Sequence, residues 1–237
     1  MSQAIRGGLP RHPRSAAIAR LILPYLESIW RDPDEGIWEV RGGRQHFVHS
    51  KVMAWVAFDR AAGLAETTEE GREQARHYRQ VADQIHHEVC EQGLDAGGSH
   101  FVQAYGSAEM DASLLHIALT GFLPAEDPRF LRTLEQIEQR LLKNGLLLRY
   151  DTDSCGDGLT AGEGTFLVCS FWLADVYVLL GRQAEAQALY ERLTGLCNDV
   201  GLLAEQYDPA DQRMLGNFPQ AFSHIGIINT AINLHRA

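Results

Sequence analysis

At 237 residues the chain is long enough for one large domain or two small ones, and one is the default. With 45% apolar and 22% charged residues it has the composition of a folded globular protein and not of a disordered or fibrous one. Acidic residues number 31 against 21 basic ones; the net charge of −10 repels phosphate backbones and anionic lipid, so neither nucleic acid nor a membrane is expected as a partner.

Cys90, Cys155, Cys169 and Cys197 form no CxxC pair, which signals neither a zinc site nor a redox motif and leaves free, buried thiols as the expectation. The basic start MSQAIRGGLPRHPR lacks the apolar stretch of a secretory signal, so a cytoplasmic location is expected. The longest apolar run, 165–180, is shorter than the roughly 20 residues that span a bilayer and contains Asp175; it reads as a buried helix.

Ile18, Leu21, Ile22, Tyr25, Leu26 and Ile29 follow helical spacing, predicting an amphipathic helix kinked near Pro24 that ends before the DPDEG turn at 32–36. Residues 50–64 are apolar around most of a helix circumference, which requires neighbours on all sides. Residues 69–92 carry a single stripe, Ala75, Tyr78, Ala82, Ile85 and Val89, and belong outside. Next come a mostly apolar segment at 109–122 and a striped one at 128–143 through Phe130, Leu134, Ile137 and Leu141. An almost wholly apolar segment follows at 164–180, then a striped one at 183–198 and an apolar one at 220–235. About eight helices and no convincing strand result.

Alternating buried and half-buried helices predict an all-α fold, an α/α toroid in which inner helices form a ring and outer ones wrap it; a plain bundle fits less well. All inner helices of such a ring run the same way, so the loops that enter them share one face. Those loops are 36–49, 101–108, 146–163 and 202–219, recurring at roughly 45–60 residues like a quasi-repeat.

These loops concentrate chemistry. The first holds Trp38, Glu39, Arg41, Arg44, His46, His49 and Lys51; the third holds Arg149, Tyr150, Asp151, Asp153 and Glu163; the fourth holds Glu205 and leads to Phe218, Phe222 and His224. Each has a plainer alternative. Glu39 can pair with Arg41 or Arg44, Glu205 can be a helix-terminal or solvated charge, Trp55 and Trp172 fit a core, and the HxxH of His46 and His49 lacks a well-spaced acidic third ligand. Placement favours the two glutamates, each behind an apolar pair and each on the shared loop face. Two carboxylates across a cavity are the equipment of glycoside hydrolysis: one, protonated beside an indole such as Trp38, donates to the leaving oxygen, and the other activates water. Glu39 suits the acid and Glu205, in a more polar loop beside Gln206, the base.

The stretches GIWEVRGGRQHFVHSKVMAWVAFDRAAGLA, LLLRYDTD, EGTFLVCSFWLADVYVLLGR and GLLAEQYDPADQRMLGNFPQAFSHIGIINTA together resemble glycoside hydrolase family 15, which contains glucoamylases, glucodextranases and bacterial trehalases. The resemblance runs from about Ile29 to the C-terminus. It implies an (α/α)6 barrel, inversion at the anomeric carbon, an α-glucoside substrate (an oligosaccharide or trehalose) and no metal or organic cofactor. Residue by residue it implies Glu39 as general acid and Glu205 as general base. Ile37, Trp38, Arg149 and Tyr150 then line the site of the nonreducing glucose, and Phe222 stands where fungal members have tryptophan. Val40 departs from the second glutamate of those fungal enzymes, on the leaving-group side. The family's aromatic stretch ending in Arg-Asp-Ala does not occur. The expectation is therefore a tail at 1–14, then the C-terminal part of a catalytic domain at 15–237 with about eight of the twelve helices. That implies either a glucose-releasing hydrolase or a truncated, inactive remnant. A partner, such as a protein carrying the N-terminal half or a second copy of this chain, would then cover the unfilled part of the ring.

Overall fold

The computed structural model describes residues 8, 13–66, 71–151 and 164–237. Among these are eight α-helices: α1 (Pro13–Ile29), α2 (Val48–Ala65), α3 (Arg72–Gln92), the single turn α4 (His116–Leu119), α5 (Pro128–Leu141), α6 (Leu167–Leu179), α7 (Gln183–Thr194) and α8 (Ala221–Arg236). Asp153, Glu163 and Cys155 lie outside the described residues.

The periodicities explain which helices are inside. Every residue of α6 from Leu167 to Tyr177 is buried, as an apolar circumference demands. Around it α5 buries Phe130, Thr133, Leu134, Ile137 and Leu141, while α7 buries Ala186, Leu189 and Leu193, each a stripe at helical spacing. Helix α3 likewise buries Ala75, Tyr78, Val81, Ala82, Ile85 and Val89 against α2. The Lys51 ammonium, itself buried, donates to the carbonyls of Trp30 and Asp32 at 2.6 Å each and so ties the end of α1 to α2.

Two expectations need correction. Residues 109–122 do not form a long helix. Asp111 caps a 3-10 turn (Ala112–Leu115) by accepting from the Ser113 amide at 2.7 Å, and α4 adds only one turn before Thr120 and Gly121 close it. Strands also exist, too short to alternate visibly. β1 (Leu142–Lys143) pairs with β2 (Leu146–Leu147), and β3 (Thr165–Phe166), β4 (Gln206–Asp208) and β5 (Arg213–Leu215) form an antiparallel sheet.

Helix α8 also differs from the buried helix its composition suggests. It meets α6 through small residues: Gly226 lies so close to Phe171 that an added Cβ would sit 2.6 Å from its ring, and the Asn233 amide donates to Asp175 at 3.0 Å. Its other face leaves Phe222, Ile225, Ile228 and Ile232 exposed. Ile18, Leu21, Ile22 and Tyr25 on α1 form a second exposed apolar stripe, with Leu21 77% accessible. Among the described residues no helix is long and apolar enough to cross a membrane.

Candidate active site

The loop before α2 is shaped by short-range hydrogen bonds. Asp34 and Gln45 exchange two backbone bonds of 2.9 Å, and the Asp34 carboxylate accepts from the Gly36 amide at 2.6 Å. Gly36 has φ +71°, and the Phe47 ring stands 3.0 Å from where a Cβ would be, so only glycine fits the turn. Two residues later the chain passes through Trp38 to Glu39, whose φ of 51° lies in the left-handed region that side chains avoid. Glu39 is exposed, so burial beside an indole is not what surrounds it in this chain. Arg44 pairs instead with Glu35 at 2.8 Å.

Trp38 points inward. Its ring lies 5.4 Å from Phe166, 6.1 Å from Trp172 and 6.5 Å from Tyr150, and its Nε1 donates to both oxygens of Asp111 at 3.0 and 2.9 Å. The Arg149 guanidinium sits 5.8 Å from the Trp38 ring and 4.7 Å from that of Tyr150. Tyr150 is almost wholly buried and bridges to Asp111 through the backbone, and the Ala112 amide donates to the Arg149 carbonyl at 2.8 Å. Ile37 is half-buried against the core. The structure thus brings Trp38, Arg149 and Tyr150 together.

Glu205 enters from the other side. Its carbonyl accepts from the Leu167 amide at 3.1 Å and its amide donates to Asn217 at 2.9 Å, fixing it between the start of α6 and the β5 side of the small sheet. Carboxylate Oε2 accepts from the Asn217 amide at 3.1 Å and from its side chain at 3.2 Å, while Oε1 has no partner among the described residues. Gly216, at φ +74°, leaves the room this needs, since a Cβ there would lie 2.6 Å from Oε2. Behind it Ser223 donates to the Ala204 carbonyl at 2.7 Å and the Leu203 amide donates to His224 Nε2 at 3.2 Å, so the first turn of α8 holds the loop. Phe222, on the same turn, is exposed and makes no ring contact with the Trp38 cluster among the described residues.

Sequence reasoning missed Asp111, His116 and the part played by Trp172. Asp111 is fully enclosed and accepts from Trp38, from Gln103 Nε2 at 3.1 Å and from Ser113; burial nonetheless pushes its carboxyl pKa up. Its only sequence signal is Asp-Ala-Ser, an N-cap pattern. His116 meets Trp172 edge-on at 4.3 Å and His49 at 5.1 Å, and burial pulls both imidazoles down to about 4, so both are neutral near pH 7. His46 stacks on Tyr105 at 5.6 Å. Among the described residues no three His, Cys, Asp or Glu side chains are grouped to hold a metal ion.

The fold is a set of α-helices whose loops carry Glu39, next to Trp38, and Glu205, next to the strand that pairs with Phe166. The family described as Glycosyl hydrolases family 15 matches residues 1–232, and the chain belongs to it. It is 48% identical over 208 residues to a trehalase of Mycobacterium tuberculosis, covering 88% of this chain and 30% of that protein. To a trehalase of Thermoplasma volcanium it is 39% identical, covering 91% of this chain and 34% of that one. In structure it resembles a wild-type glycosidase with a TM-score of 0.81 at 22% identity, over 98% of this chain and 63% of that one. A glucoamylase of Saccharomycopsis fibuligera gives 0.70 at 12% identity, over 90% and 60%. These solved structures share the (α/α)6-type fold with this chain, which spans about a third of the length of its trehalase relatives.

Proposed function

We propose that residues 15–237 form the C-terminal part of the catalytic domain of a cytoplasmic hydrolase that releases glucose from an α-glucoside, with trehalose the first substrate to test. The 48% identity to a trehalase over 88% of the chain carries the substrate choice. The Trp38–Phe166 contact supports the pairing of the carboxylates, because it seats the Glu39 loop on the strand whose partner begins next to Glu205.

Glu39 donates its proton to the glycosidic oxygen as the C1–O bond breaks. Glu205 Oε1 takes a proton from a water molecule as the water oxygen bonds to C1 from the opposite face, giving inversion. The two protons then exchange with solvent and reset the pair. Ile37, Trp38, Arg149 and Tyr150 hold the nonreducing glucose, with Phe222 at its edge. Val40 removes a carboxylate from the leaving-group side and so bears on which α-glucoside is accepted.

A second reading rests on the exposed stripes of α1 and α8 alone: the pocket is completed by an N-terminal partner or by a second copy of this chain. Glucose release from trehalose and maltose, with and without an added N-terminal half, tests both. Release by the chain alone supports the first reading, release only on complementation the second, and no release under either condition rejects the assignment. Glu39→Gln and Glu205→Gln should each lower turnover by about 10²–10⁴-fold.

A further inference from the structure

A carboxyl group fully enclosed behind the Trp38 ring, that of Asp111, has no part in the chemistry above. Asp111 accepts from Trp38 Nε1 with both oxygens, from Gln103 Nε2 and from the Ser113 amide. A buried polar group left without a partner is costly, and both carboxyl oxygens of Asp111 face the indole N–H, so this contact fixes the indole's orientation by a directional bond that ring packing alone does not supply. The backbone on either side joins a second loop: Asp111 bridges to Tyr150, and the next residue's amide, Ala112, donates to the Arg149 carbonyl. Trp38 precedes Glu39, whose left-handed backbone must be kept in place by its surroundings. One side chain therefore sits at the junction of the loops that carry Trp38 and Glu39 on one side and Arg149 and Tyr150 on the other.

We propose that Asp111 is the positioning residue of this site: it touches no substrate, and through the Trp38 indole and the Arg149–Tyr150 backbone it sets the wall against which the nonreducing glucose binds. A capping role alone would end at the 3-10 turn; a positioning role reaches the indole. The sugar arm of this inference rests on the glucose assignment made above, whereas the indole arm does not.

The test uses the full 237-residue chain labelled with ¹⁵N. In the unsubstituted protein the Trp38 indole N–H exchanges with solvent at least about tenfold more slowly than a free indole. In Asp111→Asn, with helical circular dichroism retained, its resonance shifts and its exchange accelerates. Glucose affinity falls about tenfold, the order of one lost hydrogen bond. In a Trp38→Phe background the same substitution changes affinity less than about twofold, because the two residues act as a unit. Rapid indole exchange in the unsubstituted protein overturns the proposal even if Asp111→Asn does not fold. So does an unmoved indole resonance in a folded Asp111→Asn, or fully additive costs in the cycle. If the unsubstituted chain binds no glucose, the glucose assignment fails for this chain while the indole measurements still decide the position of Trp38.

Discussion

The Trp38 ring meets the Phe166 ring edge-on at 5.4 Å, and Phe166 is paired in register with Gln206 on the adjacent strand. Segments 166 positions apart in sequence, one carrying Glu39 and the other Glu205, are thereby brought to one aromatic cluster at the start of α6. Neither glutamate is fixed by a helix of its own. Each is held by loop hydrogen bonds, and the most confining detail on the Glu205 side is a missing side chain.

That detail is Gly216. Alanine there would place a Cβ 2.6 Å from Glu205 Oε2 at a φ of +74°. Gly216→Ala should push the carboxylate off the Asn217 donors and lower turnover by about 10–100-fold, since misplacing a reacting group by about 1 Å has that order of effect. Steady-state kinetics beside a thermal melt checks this; the melt should move little, as strain at an exposed turn is worth only about 1–2 kcal/mol.

Gly226 is the corresponding contact in the core. Gly226→Ala sets a methyl 2.6 Å from the Phe171 ring and should destabilise the chain by about 1–3 kcal/mol, read as a lowered urea midpoint. An unchanged midpoint would mean that α8 does not pack on α6 through this glycine.

The two stripes explain a third expectation. With Ile18, Leu21, Ile22 and Tyr25 on α1 and Phe222, Ile225, Ile228 and Ile232 on α8 exposed, the chain by itself should bind an apolar dye and self-associate. Light scattering after size exclusion should show mass above that of a monomer, returning to the monomer value when Leu21, Ile22, Ile225 and Ile228 are replaced by serine. A monodisperse, dye-free monomer before substitution would show the stripes to be inert.

Acid should weaken the fold through His49 and His116. Burial holds both near 4 against an ordinary 6.5, with the neighbouring His49 adding to the effect on His116. Between those values the unfolded chain takes up protons that the folded one refuses, so their contribution is complete above about pH 6.5 and falls away towards pH 4. Each is worth about 3 kcal/mol at most. His116→Phe keeps a ring against Trp172 and cannot titrate, so urea midpoints should fall less steeply over that window than in the unsubstituted chain.

Much of this was legible in the sequence because helical spacing reports directly on burial. The stripes of α3, α5 and α7 and the wholly apolar α6 appear where the spacing puts them. Residues 109–122 misled because Met110, Ala112, Leu114 and Leu115 are buried in an irregular turn, and apolar content alone does not separate that from a helix. The strands have two or three residues each, below the length at which alternation shows. Asp111 carried no charge partner or motif beyond its cap; its importance comes from Trp38, 73 positions away. The exposure of α8 depends on which neighbours are present, a property that no local pattern encodes.

The division of labour between Glu39 and Glu205 is tested most directly with two substrates that differ in their need for a proton. Cleavage of trehalose expels one glucose through its anomeric oxygen, which requires a proton from an acid, whereas fluoride departs from α-glucosyl fluoride with little help. In the form of the protein that hydrolyses trehalose, Glu39→Gln should lose at least about 10²-fold on trehalose yet stay within about tenfold on the fluoride, while Glu205→Gln should lose both. Equal losses of Glu39→Gln on the two substrates, or fluoride hydrolysis surviving in Glu205→Gln, would contradict the assignment.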